Sequence, residues 1–435
     1  MRKYLQLCEL FDRLGSLQSR NQMSLELAQY LKECDSEEVQ IVSYMIQGRV
    51  APMFVNSEFN YSEKSIVNLL SQKYSLDVGS MRLQSGDIGD TLFEIITMRP
   101  NTLDSLSIKE VYEGLWKIVN VVGTGSVTVK DKIVLEYLAK FSPLEAKYFV
   151  RTICGQLRLG LSMKSLLDAF SIGVAGDKSI KPELENAYGV CADIGYIGKK
   201  LVEVPKEKVP ESISSISAQP GIPILSRLVQ RVGGFDELFE RFKEKVILQP
   251  KFDGLRCQIH KWEESSEKED ETGTVIWKKF KKNSTKEAQN LFEINNISKI
   301  QVKLFTRNLE DVTEMFPEIV EAAKKVEKNS FILDSEIVGW DYREGEILSY
   351  QETMQRRRKY SVRSKQEDIP VKAFAFDLLY LDSQSLVNID TKERIKLLDT
   401  VLGSTVLESI VVAESKSLSQ QEDVKGYFDK CIEEG

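Results

Sequence analysis

The segment Lys251-Phe252-Asp253-Gly254-Leu255-Arg256 gathers an amine, a carboxylate and a guanidinium within six residues. If the run KVILQPKFD is a strand, Lys251 and Asp253 project from one face, because strand side chains alternate with a period of two. Gly254 then allows a sharp turn or a close backbone approach, and Arg256 returns on the following segment. A lysine is a nucleophile only when neutral, a state that nearby cations or a metal ion favour by depressing its pKa. Arginine suits phosphate because its planar fork donates paired, charge-assisted hydrogen bonds. Together these groups describe phosphoryl or nucleotidyl transfer through a lysine intermediate; the competing reading is a salt-bridged surface turn.

Three further segments add to that chemistry. In FILDSEIVGW, Ile332, Asp334, Glu336 and Val338 share one strand face, which sets two carboxylates between apolar flanks. Buried carboxylates are costly without partners, so a metal, a ribose hydroxyl or an arginine is expected beside them. For Asp334 a structural ion pair weighs equally. In KLFTRN, Arg307 ends a strand where it can reach a phosphate, although by itself it reads as a surface arginine. In VKAFAFDLLYLD, Phe374 and Phe376 fall on one face, where an aromatic ring can stack on a purine; by itself each reads as core. The composition removes the usual rivals. The single histidine, His260, has neighbours that fit no triad, dyad or zinc motif, and the six cysteines are scattered without a C-x-x-C pair. Lysines, arginines and carboxylates must carry any catalysis.

The elements that position these residues follow from the 435-residue chain as a whole, with its net charge of −7 and its 42% hydrophobic and 29% charged residues. That balance supports sizeable cores and excludes a disordered chain. No apolar run reaches the roughly 20 residues of a membrane span, and the opening MRKYLQLCELFDRLGS is an amphipathic helix and not a signal peptide, so a cytoplasmic protein is expected. Residues 1–205 read as helical, with Tyr4, Leu7, Cys8, Phe11 and Leu14 at helix spacing. Ser142-Pro143-Leu144-Glu145 is a capping box, and the glycines at 155 and 160 split its continuation into two helices around a turn. Residues 206–225, rich in proline and serine, read as a linker. Residues 226–435 turn strand-rich with intervening helices, which favours an α+β domain on antiparallel sheets. Residues 261–288, acidic and then basic, read as a solvated hairpin extension between two strands.

Taken in order, K-F-D-G-L-R, L-F-T-R-N, F-I-L-D-S-E and A-F-D-L-L-Y-L-D resemble motif I, the following arginine segment, motif III and motif IIIa of ATP-dependent DNA ligases. The helical half, notably VRTICGQLRLGLSMKSLLDAF, resembles the DNA-binding domain of the archaeal and eukaryotic replicative type, and PGIPILSRLVQRV resembles the entry into the adenylation domain. The resemblance implies an all-α DNA-binding domain followed by an α+β nucleotidyltransferase domain that uses ATP and Mg²⁺ to seal nicked duplex DNA. It implies that Lys251 becomes adenylated, that Arg256 and Arg307 contact the nucleotide, that Glu336 binds ribose or Mg²⁺, and that Phe376 stacks on adenine. Gln249 stands where the family usually has glutamate; its amide can accept from the adenine amino group and can also donate. The chain ends at CIEEG, where the family continues into motif IV, the lysines of motif V and an OB-fold domain, so an adenylation domain incomplete at its C-terminus is expected. Glu434-Gly435 is a candidate for motif IV itself.

DNA binding must be local, given the acidic net charge. Residues 117–164 carry eight Lys/Arg against three Asp/Glu, and Arg151, Arg158 and Gly160 lie at or near the turn, where guanidinium groups and backbone amides can take phosphates. A second basic run, Arg356-Arg357-Arg358-Lys359 with Arg363 and Lys365, reads as a solvated helix face. A monomer on nicked DNA is expected, with a sliding clamp left open as a partner. RNA ligases and capping enzymes share motif I but lack the helical half. NAD-dependent ligases typically carry alanine where Arg256 stands and bring zinc-binding cysteines. A nick-binding ligase remnant without catalysis is the alternative from another class.

Overall fold

The computed structural model describes residues 1–98, 106–242, 245–264, 275–281, 299–356, 369–403 and 407–433. The chain forms two units. One comprises Met1–Tyr188, Asp193–Ile216 and Lys268–Asn295; the other comprises Gly189–Ala192, Ser217–Glu267 and Asn296–Gly435. No described helix is long and apolar enough to cross a membrane.

The first unit is helical. Its opening helix, Tyr4–Ser16, buries Tyr4, Leu7, Cys8, Leu10, Phe11 and Leu14 along one stripe. Helix Ile108–Val119 starts on a capping box of Ser107 and Glu110 and buries Tyr112, Leu115 and Trp116. Helix Pro143–Ile153 starts on the Ser142–Glu145 capping box with Pro143 in its first turn, where a missing N–H costs nothing. The turn after it reaches helix Met163–Ala175 through three left-handed residues, Gly155, Arg158 and Gly160. Leu157 and Leu159 are buried on either side of Arg158, so the chain turns the arginine outward between them.

The second unit is built on strands β1 (Val246–Leu248), β2 (Leu255–Glu264), β3 (Lys299–Thr306), β4 (Phe331–Asp341), β5 (Glu346–Ile347), β6 (Val371–Leu381), β7 (Gln384–Ser385), β8 (Ile410–Val412) and β9 (Lys416–Leu418). Its main sheet runs β3-β2-β4-β6-β7, with β5 beside β4 and β8 beside β6; β1 and β9 form a separate antiparallel pair. Every pair in the main sheet is antiparallel except β6 with β8. One face of the sheet presents Cys257, Ile259, Leu304, Leu333, Ile337, Ala373, Ala375 and Leu378, covered by Ile319 and Ala323 of helix Pro317–Lys325 and by Leu398 and Leu402 of helix Thr391–Gly403. Each fully buried Leu or Ile there stabilises the fold by about 1.5–3 kcal/mol. The opposite face is left to Arg256, Gln258, Asp334, Glu336 and Phe374, as the β2–β4 and β4–β6 registers require.

Three expectations change. The strand expected to run through Lys251 stops at Leu248, because Pro250 has no N–H to give a ladder, so Lys251 and Asp253 are exposed loop residues and strand alternation does not place them. Residues 206–225 are not a loose connection. Lys206–Lys208 and Val209–Ser214 are helical within the first unit and bury Val209 and Ile213. Residues from Ser217 onward belong to the second unit, where Ala218 and Ile224 pack on Ile332. Finally, part of the 261–288 insertion is neither hairpin nor solvated: Val275 and Ile276 are buried within the helical unit.

Candidate active site

Gly254 fixes the geometry of the polar face. A Cβ at this position would lie 2.3 Å from the Ile337 carbonyl oxygen and 2.7 Å from Val338 Cγ1, so only a glycine lets the turn before β2 rest on β4. That contact brings the Gly254 N–H to the Glu336 carboxylate and sets Lys251 and Arg256 within its electrostatic reach. Burial pushes the Glu336 carboxyl up to about 7, although the Gly254 N–H and the charges of Lys251 and Arg256 pull against the rise.

Arg256 faces Asp334 across the sheet and donates to it twice, from Nε at 3.1 Å and from Nη2 at 2.6 Å. That fork holds the guanidinium above its ordinary value, while burial pushes the Asp334 carboxyl upward against it. Asp334 is thus the structural ion-pair partner of Arg256. The guanidinium carbon lies 5.5 Å from the centroid of Phe376. Phe376 does not sit in plain strand alternation. Asp334 pairs with Asp377 and Ser335 with Ala375, which leaves Phe376 as the extra residue of a β-bulge. Its neighbour Phe374 is stacked on Phe252 at 4.3 Å and lies 5.9 Å from Trp340.

Gln249 follows β1 and donates from Nε2 to the Phe376 carbonyl at 3.0 Å and to Ser415 Oγ at 2.9 Å. Both amide hydrogens are used, which leaves Oε1 as the acceptor. Arg307 is exposed and follows Thr306, the residue of β3 that pairs with Cys257, so the chain leaves β3 beside the Arg256 end of β2. The structure therefore brings Gln249, Lys251, Arg256, Glu336 and Phe376 around one end of the sheet. His260 is fully buried, accepts at Nδ1 from Gly221, and is pushed down to about 3 by burial, which leaves it a structural residue. Sequence reasoning passed over Ser415 and the Asp377–Arg394 pair, a bidentate contact with both distances 2.8 Å. Only the aspartate inside A-F-D hinted at the pair, and nothing pointed to the serine.

On the helical unit, Arg151 is buried and bound to Asp87 and, at 2.9 Å, to Asp90. Arg158 is half-exposed, in the left-handed conformation, and touches Asp87 at 3.3 Å. Gly160 has φ +68°. Burial alone would raise the Asp87 carboxyl, but hydrogen bonds and charge from Arg151 outweigh it and hold the group below its ordinary value. The contribution of this pair to stability is therefore full above about pH 4 and is lost as pH falls through the depressed folded value. Asp87→Ala is expected to destabilise the protein by about 3 kcal/mol by leaving the buried Arg151 guanidinium with Asp90 alone, read as a lower melting temperature whose deficit shrinks in acid. In the second basic run, Arg356 is buried against Glu318 and is no part of a solvated face. Arg357, Arg358, Lys359, Arg363, Lys365 and the pair Glu434-Gly435 lie outside the described residues.

Comparisons with known proteins agree over the whole chain. Residues 3–171 match the family described as DNA ligase N terminus, and residues 292–435 match the one described as ATP dependent DNA ligase domain. The chain is similar to DNA ligase 1 of Methanosarcina mazei, 32% identical over 445 residues that span 100% of this chain and 69% of that protein. It is 31% identical to a probable DNA ligase of Dictyoglomus turgidum, over 99% of this chain and 67% of the other. It is 30% identical to the DNA ligase of Saccharolobus solfataricus, with the same two shares.

Proposed function

Because the chain belongs to the family of ATP-dependent DNA ligases, which seal DNA, we propose that Lys251 is the residue that carries the adenylyl group. Its neutral Nζ attacks the α-phosphorus of ATP; an N–P bond forms, the bond to the β-phosphate oxygen breaks, and pyrophosphate leaves. AMP then passes to the 5′-phosphate of a nick, and the 3′-hydroxyl displaces it. The observation that carries this reading is the register that sets Arg256 opposite Glu336 on the polar face, with Lys251 on the turn that Gly254 rests on β4. Arg256, braced by Asp334, and Arg307 supply fixed positive charge for the phosphates, where preorganised donors act most strongly. Phe376 offers its ring to the adenine. The test is ATP–pyrophosphate exchange without DNA. Label from pyrophosphate entering ATP is the expected result, and no exchange under any divalent cation would refute the reading.

Gln249 sets the base preference in this scheme. With its NH₂ spent on Phe376 and Ser415, Oε1 accepts from the adenine amino group and opposes the carbonyl that guanine presents there. Exchange should therefore favour ATP over GTP by about 100-fold, and Ser415→Ala should erode that ratio by freeing the amide to turn. Equal use of both nucleotides by the unaltered protein would contradict this role.

Glu336 suits Mg²⁺. It is a partly buried carboxyl raised to about 7, and a dication beside it would restore the anion. Among the described residues no group of three or more His, Cys, Asp or Glu forms a protein cage, which suits an ion that takes most of its ligands from phosphate and water. When bound, the ion offsets charge on the phosphates. Since the metal needs the anion, Mg·ATP affinity should fall about tenfold per unit as pH drops below about 7, and Glu336→Gln should weaken binding above pH 7 and flatten this dependence. Titrations from pH 5.5 to 8.5 (about the useful range for a group near 7) check both.

On DNA, Arg158 and the turn amides around Gly160 take backbone phosphates without reading sequence, and Arg151 holds Asp87 in place behind them. The protein works as a cytoplasmic monomer on nicked duplex, associated with the nucleoid, with a sliding clamp as a candidate partner.

A further inference from the structure

Between β2 and β3 the chain leaves one unit and contributes Lys268–Asn295 to the other. Within it, Val275–Lys281 carries the apolar pattern V-I-W-x-x-F, and Ile276–Phe280 is a single short helix. Ile276 is 1% exposed and Val275 3%. The Ile276 N–H donates to Gln40 Oε1 at 3.0 Å, and Trp277 Nε1 donates to Asp193 Oδ2 at 3.1 Å. Asn120 Nδ2 donates to the Phe280 carbonyl at 2.8 Å. The two aromatic rings meet Phe54 and Tyr112 edge to face. Asp193 is buried, and its other oxygen accepts from Tyr44 at 2.6 Å, so Trp277 completes a polar site inside the helical unit.

We propose that Val275–Phe280 is an internal docking peptide and that the groove lined by Gln40, Phe54, Tyr112, Asn120 and Asp193 is its receptor. Side-chain anchors in a pocket with backbone bonds on both flanks are the signature of specific peptide recognition, not of a loop lying against a surface. The chain crosses between the units at Tyr188–Gly189, Ala192–Asp193 and Ile216–Ser217 before it reaches this segment. Eleven residue steps then separate Glu264, the last residue of β2, from Val275. Such a short tether keeps the peptide at high effective concentration beside its receptor. None of this depends on the ligase chemistry.

The test is hydrogen exchange on the whole protein. In the unaltered chain the amides of residues 276–281 should exchange at least about tenfold more slowly than in free peptide. The double substitution Trp277→Ala and Phe280→Ala should abolish that protection. The helical circular dichroism should stay intact. Trp277→Phe, which keeps a ring but loses the N–H, should fall between, and this guards against a double variant that fails to fold. Free exchange in the unaltered protein would overturn the proposal. So would protection that survives the double substitution.

Discussion

With Gly254 replaced by alanine, ATP–pyrophosphate exchange is expected to fall about 100-fold or more while the protein stays folded. The added methyl would lie 2.3 Å from a backbone oxygen of β4, which cannot move aside as the end of a flexible side chain would. The turn must lift away instead, and it carries Lys251 and Asp253 away from the polar face of β4. Overpacking of this kind costs about 1–3 kcal/mol of stability. The melting temperature should therefore drop moderately and the exchange rate severely. A variant that keeps full exchange would show that the close approach is dispensable and that the site is not organised around it.

Lys251→Ala should remove exchange altogether, by about 10⁴-fold or more, since no neighbouring group can take over a covalent role. Lys251→Arg should fail as completely. A guanidinium stays protonated and offers no lone pair, so keeping the positive charge does not help. Binding of ATP should survive better than turnover in both variants, because Gln249, Arg256 and Phe376 are untouched. Exchange that persists in Lys251→Arg would mean the lysine contributes only charge.

Much of this site was legible in the sequence because its parts lie within short motifs whose spacing is physical. The alternation in FILDSEIVGW put Asp334 and Glu336 on one face of β4, and the register with β2 sets Arg256 opposite Glu336. The capping box at Ser142 and the glycines after it marked both helices and the turn correctly. The misreadings share a cause, which is that local pattern does not report long-range partners. β1 ends at Leu248, three residues before Lys251, so the alternation invoked for Lys251 and Asp253 had no strand to act on. Phe374 and Phe376 share a face in the ideal pleat, but a bulge separates them, and a bulge arises from pairing with β4. The sequence also gave no sign that Ser415, 166 positions away, would hold the Gln249 amide. In the insertion the available signal was V-I-W-x-x-F, an apolar cluster with two aromatic residues set between charged flanks.

The central claim is that Lys251 Nζ forms a covalent bond to AMP. The most direct measurement is peptide mapping by mass spectrometry after incubation with ATP and Mg²⁺. One adenylyl group should appear on the peptide containing Lys251. It should be labile in acid, as a phosphoramidate is, and absent from Lys251→Ala. An adduct on another residue, or one retained in Lys251→Ala, would contradict the account.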